Sequence, residues 1–217
     1  FERGFDQAIN IWGTDHHGDL PRLLAGIQAL GYSANKMKII LHQLVLIKKQ
    51  DPSTGSGRVQ RMSKREGKFV LLDELLKDVG KDATRFFFLS KDLNTHMEFD
   101  VDLAKEESKR NPVFYIQYAL ARLNSVFEKF KIQNSNFNLK LKIENLKLLS
   151  NEEEQDLMRR LVKFPDIIED VATTYHIHHL AQYAFDLATD FHKFYETSRI
   201  IQEDTKLQDA RLALAQA

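Results

Sequence analysis

The sequence contains no cysteine, only four prolines and nine glycines in 217 residues, and no excess of charge of either sign. The absence of cysteine excludes a disulfide scaffold and a zinc site with thiolate ligands, and it agrees with a reducing compartment. Basic and acidic residues balance at 31 each. The net charge therefore indicates no polyanionic partner, and any affinity for nucleic acid must come from local patches.

Long apolar runs are also missing. The apolar stretch at residues 38–47 is too short and too interrupted to span a bilayer. Residues 1–6 have neither an initiator methionine nor the basic segment and apolar stretch of a signal peptide. We therefore expect a cytoplasmic fragment of a longer protein, without membrane contact. Its 43% hydrophobic residues suffice for one large domain or two small ones.

The first 102 residues alternate short apolar runs with helical patterns. Residues 7–12 form an apolar run that ends at Gly13 and predicts a buried strand, and residues 39–47 predict another. Between them, residues 19–30 carry apolar side chains at helical spacing, with Pro21 in the first turn. This strand–helix–strand order predicts part of a parallel α/β sheet.

A polar segment follows. Residues 48–68 are rich in Lys, Gly and Ser, so we expect a mobile loop there. Two short helices are predicted next, over residues 71–79 and 82–89. Three side chains of the second are expected to be buried: Phe86, Phe87 and Leu89.

From residue 103 onward, every long segment has a helical pattern, which predicts an α-helical bundle. Asn111 is a good N-cap and Pro112 suits the first position of a long helix. Its apolar stripe comprises Val113, Ile116, Leu120, Leu123, Phe127 and Phe130.

Three more helices are predicted in this half. Ser150 and Glu153 form a capping box for the first, which Pro165 ends or kinks. The others cover residues 180–194 and 207–217.

The most specific motif is Arg61-Met-Ser-Lys-Arg-Glu-Gly67, which places three cations and a hydroxyl within five residues. Such a loop can close over a triphosphate and stabilise the charge that develops as pyrophosphate leaves. Taken alone, the same residues could form an ordinary solvated basic loop.

In the order of its motifs, the chain resembles class I aminoacyl-tRNA synthetases, and bacterial arginyl-tRNA synthetases in particular. The resemblance covers essentially the whole chain. It is carried by Trp12-Gly-Thr-Asp-His-His-Gly18, Arg61-Met-Ser-Lys-Arg-Glu-Gly-Lys-Phe-Val70, Asp82-Ala-Thr-Arg-Phe-Phe-Phe-Leu89 and Asn111-Pro-Val-Phe-Tyr-Ile-Gln-Tyr-Ala119. Asp209-Ala-Arg-Leu-Ala-Leu214 is also similar to the family's DALR-type segment.

The resemblance implies an α/β plus all-α fold. Residues 1–102 would be the C-terminal part of a class I catalytic domain, with part of a Rossmann-like parallel sheet and the Met-Ser-Lys loop at 48–68. Residues 103–217 would form a DALR-type helical anticodon-binding domain, truncated at its C-terminus.

The implied activity is ATP-dependent attachment of L-arginine to tRNA(Arg), with Mg²⁺ accompanying ATP, no zinc, and a monomeric enzyme. The resemblance implies catalytic roles for Arg61, Ser63, Lys64 and Arg65. It also implies that ATP and arginine contact Gly13, Asp15, His16, His17 and Met62. Contact with tRNA is expected at Asn111, Tyr115, Tyr118 and Arg122.

The chain departs from the family pattern in three respects. In the Lys-Met-Ser-Lys-Ser signature, Arg61 replaces the first lysine and Arg65 the last serine. The family's His-Ile-Gly-His motif, which belongs to the first half of the nucleotide fold, does not occur. We therefore expect a C-terminal half that does not catalyse alone.

Several residues have a second interpretation. Without the resemblance, His16 and His17 could equally be a metal site or a polar turn, although a third ligand at zinc spacing is missing. Tyr115 and Tyr118 could stack on unpaired bases or pack in the core.

Other charged residues are also ambiguous. Four histidines without a completing carboxylate, His176, His178, His179 and His192, are expected to be ordinary bundle histidines. Three cations could contact phosphate or form a solvated face: Lys105, Lys109 and Arg110.

Rival functions remain at this point. The chain could be an RNA-binding helical module or an inactive synthetase paralogue. A cysteinyl-tRNA synthetase would need cysteine ligands for zinc, and this chain has none.

Overall fold

The computed structural model describes residues 1–50, 57–60, 71–133 and 143–217. These residues form two compact units, Phe1–Asp102 and Leu103–Ala217, and each is described by itself. Assignment of the units to a catalytic part and an anticodon-binding part stays a prediction here.

The first unit begins with the predicted strand, helix and strand. The expectation that the first strand is buried is wrong, because Ile9 and Ile11 are 48% and 67% exposed. Strand β1 (Ala8–Gly13) leads through a short 3₁₀ helix into helix α1 (Leu20–Ala29), and strand β2 (Met37–His42) returns parallel to β1. Pro21 lies in the first turn of α1, where its missing N–H removes no helical hydrogen bond. Gly31 follows the helix at φ 84°, a conformation that favours glycine.

A second small sheet corrects two predictions. Strand β3 (Val45–Gln50) pairs antiparallel with β4 (Gly57–Gln60) and parallel with β5 (Met97–Asp100). The apolar run at residues 39–47 therefore belongs to two strands, β2 and β3. Residues 48–50 and 57–60 of the expected loop at 48–68 also lie in strands. Its remaining residues, 51–56 and 61–68, lie outside the described part of the chain.

The charge of Lys48 is the reason that the sequence predicted a loop here rather than a strand. Its ammonium lies 3.2 Å from the carboxylate of Asp100 on β5, so the polar side chain is paired at the sheet rather than in a loop. The preceding Ile47 is buried, as the alternation of a strand requires.

Helices α2 (Leu72–Val79) and α3 (Lys81–Leu89) follow, joined at Gly80 with φ 89°. Phe87 is buried and its ring lies 5.5 Å from that of Phe99. Phe86 is half-buried, and the expectation that Leu89 is buried is wrong, because this last residue of α3 is exposed. A short helix, α4 (Val101–Lys105), ends this region.

The second unit is the predicted helical bundle. Its helices are α5 (Pro112–Gln133), α6 (Ile143–Leu146), α7 (Glu152–Val162), α8 (Phe164–Thr174), α9 (His178–Thr197) and α10 (Thr205–Gln216). Helix α9 packs on α5, α7 and α8. The core includes Phe130, Leu157, Phe191, Phe194 and Leu212.

The helices predicted over residues 180–194 and 207–217 are α9 and α10, and each begins two residues earlier than expected. Pro165 occupies the first turn of α8 and separates it from α7. The capping box predicted at Ser150 and Glu153 is wrong by one residue, since the backbone N–H of Asn151 donates to Glu154 Oε2 at 3.0 Å. Serine and asparagine cap equally well, so the sequence alone did not separate the two registers.

A buried ion pair connects α7 with α10. Glu154 Oε1 accepts a 2.6 Å hydrogen bond from Arg211 Nε, and the two side chains are only 1% and 8% exposed. Arg211 Nη1 also donates to the backbone oxygen of Arg199, at 2.9 Å. The pair therefore fixes the start of α7 and the connection between α9 and α10 together.

Among the described residues, no helix is both long and apolar enough to cross a membrane.

We expect Glu154→Ala to destabilise the bundle by about 3–5 kcal/mol, because it leaves the buried guanidinium of Arg211 without its counter-charge. Urea unfolding of the chain measures the loss. Glu152→Ala, an exposed position in the same helical turn, is the control and should cost less than about 1 kcal/mol. The double variant Glu154→Ala/Arg211→Met should lose less than the two single variants summed, and full additivity would contradict the coupling.

Candidate functional site

The first candidate site lies at one edge of the parallel pair β1 and β2. Gly13 and His42, the last residues of the two strands, stand opposite each other in register. The hydroxyl of Thr14, just after β1, donates to Gln43 Oε1 at 3.3 Å, just after β2. Ligands of open α/β sheets bind at such carboxyl ends, so the structure brings a suitable edge together.

Three predicted residues follow β1 on the 3₁₀ helix: Asp15, His16 and His17. All three are exposed. His16 lies 3.7 Å from a carboxylate oxygen of Asp15 and 3.5 Å from one of Asp19. A carboxylate beside an imidazole can hold ribose hydroxyls or a guanidinium, although this arrangement alone selects neither.

Gly13 lies next to the carboxylate of Asp15. A β-carbon at this position would collide with the carboxylate oxygen Oδ1 of Asp15. The glycine therefore permits the present position of the Asp15 side chain, while its own φ of −68° is ordinary.

The predicted catalytic loop cannot be placed beside this edge. Arg61, Met62, Ser63, Lys64 and Arg65 lie outside the described residues. Their roles stay predictions.

His42 was missed by the sequence analysis. It follows the apolar run of β2 and reaches the carboxyl edge because β2 is parallel to β1. Its position at the end of an apolar run was the available signal. The Nδ1 atom of its ring lies 2.6 Å from the backbone oxygen of Gln43.

The histidines at the start of α9 do have a carboxylate partner. His179 Nδ1 lies 2.6 Å from Asp170 Oδ2 on α8, which corrects the expectation that no carboxylate joins them. The rings of His176, His178 and His179 lie 4.3–5.6 Å apart by their centroids. Within residues 1–50, 57–60, 71–133 and 143–217, however, no group of three or more ligands is arranged for a metal ion.

The second candidate site is a cluster of aromatic and charged side chains between α5 and α9. We call it the aromatic–arginine cluster, and it comprises Tyr115, Tyr118, Arg122, His192, Tyr195 and Glu196. The guanidinium of Arg122 lies 4.5 Å from the ring centroid of Tyr118 and 4.9 Å from that of Tyr195. Its Nη1 also contacts Glu196 Oε1 at 3.2 Å. Arg122 is thus held between two rings and a carboxylate.

His192 fastens this cluster to both helices. Its Nδ1 lies 3.2 Å from Arg122 Nη1, and its Nε2 lies 3.2 Å from the backbone oxygen of Tyr115. Because the guanidinium can only donate, Nδ1 accepts and Nε2–H donates, which is the neutral tautomer. Burial lowers the pKa of His192, and the charge of Arg122 lowers it further.

The tyrosines differ in exposure. Tyr118 is 41% exposed and its ring stacks on Phe114, with centroids 6.2 Å apart and planes 8° from parallel. Tyr115 is half-buried against Phe185 and His192. Tyr118 is therefore the ring that the cluster presents to solvent, and Tyr115 packs partly in the bundle.

Asn111 does not belong to this surface. Its side chain is buried, its Nδ2 donates to the backbone oxygens of Ala104 and Glu106, and its Oδ1 accepts from Val113 N. These bonds confirm the predicted N-cap. They leave the amide poorly placed for the RNA contact that was also expected of it.

Comparison with known proteins gives matches to the second half of the chain and to its full length. Residues 116–217 match the DALR anticodon binding domain family. Arginine–tRNA ligases of Desulfitobacterium hafniense (strain DCB-2) and Thermotoga maritima are each 44% identical over 217 and 218 residues. Each alignment covers 100% of this chain and 38% of the relative, so the chain spans well under half the length of these relatives.

Two solved structures share the fold. One from Campylobacter jejuni, provisionally assigned as an arginyl-tRNA synthetase, is 31% identical with a TM-score of 0.78 over 99% of this chain and 45% of that one. Thermus thermophilus arginyl-tRNA synthetase is 20% identical with a TM-score of 0.75 over 97% of this chain and 38% of that one, a likeness of fold alone.

We expect the stability of the chain to fall as the pH drops below about 6.5, the ordinary histidine pKa. The unfolded chain then binds a proton that His192 in the folded chain does not, and the loss is complete near the lower folded pKa. Urea midpoints against pH measure this effect. His192→Gln should reduce the pH dependence. A pKa of His192 at or above 6.5 by NMR titration would contradict the lowered pKa.

Proposed function

Since the chain belongs to the arginyl-tRNA synthetase family and corresponds to the C-terminal part of these enzymes, we propose that the protein containing it is an arginine–tRNA ligase. It would activate L-arginine with ATP and transfer the arginyl group to tRNA(Arg). Similarity to arginine–tRNA ligases over the full length of the chain carries this proposal.

The aromatic–arginine cluster supports the RNA-binding part of the proposal. It lies largely within the residues that match the DALR family, and it includes the exposed ring of Tyr118. An exposed aromatic ring can stack on any of the four bases when that base is unpaired. Arg122, which is held by Tyr118, Tyr195 and Glu196, positions the Tyr118 ring.

The proposed reaction has two steps. The carboxylate of arginine attacks the α-phosphate of ATP, forming arginyl-adenylate and releasing pyrophosphate. A terminal ribose hydroxyl of tRNA, the 2′-hydroxyl by family resemblance, then attacks the arginyl carbonyl and releases AMP. No covalent enzyme intermediate is required, so binding, orientation and charge stabilisation supply the catalysis.

The edge of β1 and β2 suits the substrate side of this reaction. We propose that Gly13, Asp15, His16 and His17 contact adenosine or arginine there, with ATP entering as its Mg²⁺ complex. The loop of Lys64 and Ser63 would neutralise the phosphates as pyrophosphate leaves, with Arg61 and Arg65 beside them.

An RNA-binding module or an inactive paralogue is the alternative, and we propose that residues 1–217 alone do not catalyse. ATP–pyrophosphate exchange and tRNA binding, measured for this chain and for the complete protein, distinguish the cases. Binding without exchange is expected of the isolated chain. Absence of exchange in the complete protein, with arginine and tRNA present, would favour the alternative.

Tyr118→Ala should weaken tRNA(Arg) binding by the complete protein by about 1–3 kcal/mol, because one base loses its stacking partner. Tyr118→Phe keeps the ring and should bind nearly as well as wild type. Leu120→Ala, an exposed position two residues along the same helix, controls for truncation. Fluorescence titration measures the affinities, and equal binding by Tyr118→Ala and Leu120→Ala would contradict a base contact.

Lys64→Ala should slow arginyl-adenylate formation by the complete protein roughly a hundredfold or more, with a smaller change in KM for ATP, because its charge acts on the departing pyrophosphate. Single-turnover kinetics with tRNA present measure this step. Lys77→Ala, an exposed lysine on α2, is the matched control. An unchanged rate in Lys64→Ala would remove the proposed role of the loop.

A further inference from the structure

A polar cleft adjoins the aromatic–arginine cluster on the bundle. It has a volume of about 380 Å³ and lies between α5 and the connection from α9 to α10. Its lining comprises Val126, Lys129, Tyr195, Ser198, Arg199, Ile200 and Ile201. Tyr195 belongs to both features, because it also faces the guanidinium of Arg122. The cleft and the cluster therefore share the side chain of Tyr195.

The cations of this cleft are available to a ligand. The unit Leu103–Ala217 contains six arginines, and five of them form ion pairs with a carboxylate: Arg110, Arg122, Arg159, Arg160 and Arg211. Within the described residues, neither Arg199 nor Lys129 has a carboxylate within ion-pairing distance. Both side chains are exposed. Two cations that face one cleft without a counter-charge form a site for an anion.

Ser198 adds a neutral donor to the same cleft. The residue is only 3% exposed, and its Oγ has no hydrogen-bond partner within the part of the chain that the structure describes. Buried hydroxyls are normally paired, so an unpaired one at a cleft calls for a partner. Ser198 lines the cleft, and a hydroxyl can donate a hydrogen bond to an anionic oxygen.

The backbone behind these side chains is fixed. The backbone oxygen of Arg199 accepts from the buried Arg211, and the N–H of Ser198 donates to the backbone oxygen of Phe194 at 2.9 Å. The connection thus keeps its position without a ligand. A prearranged site loses less entropy on binding than one that must form.

We infer that this cleft binds a backbone phosphodiester of RNA, next to the base that stacks at the aromatic–arginine cluster. The inference rests on the proposed function and adds the phosphate subsite to it. The cations and the hydroxyl match the charge and acceptor oxygens of a phosphodiester. The shared Tyr195 favours a nucleotide over an isolated anion. Its aromatic ring lies beside the two cations, as the base of a nucleotide lies beside its phosphate.

The double variant Lys129→Ala/Arg199→Ala of the complete protein tests the charges. Its binding to tRNA(Arg) should be weaker at low salt, and its plot of log affinity against log salt should be less steep by about one unit. Lys163→Ala/Lys193→Ala removes the same charge from exposed positions outside the cleft and should keep the wild-type slope. Equal slopes for the two double variants would overturn the inference.

Ser198→Ala separates binding from folding. If the unpaired hydroxyl serves a ligand, the variant should unfold at the same or a higher urea concentration than wild type, yet bind RNA several-fold more weakly with an unchanged salt slope. Wild-type affinity in this variant would exclude the hydroxyl from the site.

The source of the anion and the underlying function are distinguishable. Inorganic phosphate should displace RNA no better than chloride of equal ionic strength, and specific displacement would reassign the cleft to a free anion. If wild-type protein does not bind tRNA(Arg), both the proposed function and this inference fail. If it binds and only the cleft variants behave as wild type, the inference alone fails.

Discussion

The bundle depends on one constraint, the buried ion pair of Glu154 and Arg211. Glu154 accepts from the backbone of Asn151 with one oxygen and from Arg211 with the other, so a single carboxylate begins α7 and anchors α10. Burying these charges costs solvation that an apolar pair would not lose. The pair instead fixes the position of the backbone, because Arg211 also donates a hydrogen bond to the backbone oxygen of Arg199. The position of the polar cleft therefore depends on a contact in the core.

The seam between α5 and α9 uses polar groups in a similar way. His192 in its neutral form joins the backbone of Tyr115 to the guanidinium of Arg122, and neither helix can rotate without breaking one of these bonds. An apolar side chain would pack there but would not fix Arg122 between Tyr118 and Tyr195. These bonds hold the surface of the seam in place, where the ring of Tyr118 is exposed to solvent.

Local signals predicted the elements whose causes are local. The α1 boundaries follow from Pro21 and Gly31, which act through their own backbone conformation. Strand β3 was missed beyond Ile47 because its stability comes from β5, about fifty residues later, where Asp100 pairs with Lys48. A charged side chain within a strand favours the prediction of a loop when its ion-pair partner is not known. The same limit explains why the carboxylate of α8 near the α9 histidines was overlooked.

The candidate sites also combine residues that are close in sequence with residues that are distant in sequence. Tyr118 and Arg122 are four residues apart, so their common helix face was visible in the sequence, whereas His192 joins them from seventy residues away. The neutral net charge also concealed the cations of the cleft, because composition counts charges without their partners. Five of the six arginines of this bundle pair with carboxylates. Within the described residues, Arg199 has no carboxylate within ion-pairing distance. Affinity for a polyanion can thus arise in a chain without excess charge, provided that a few cations stay unpaired beside an exposed ring.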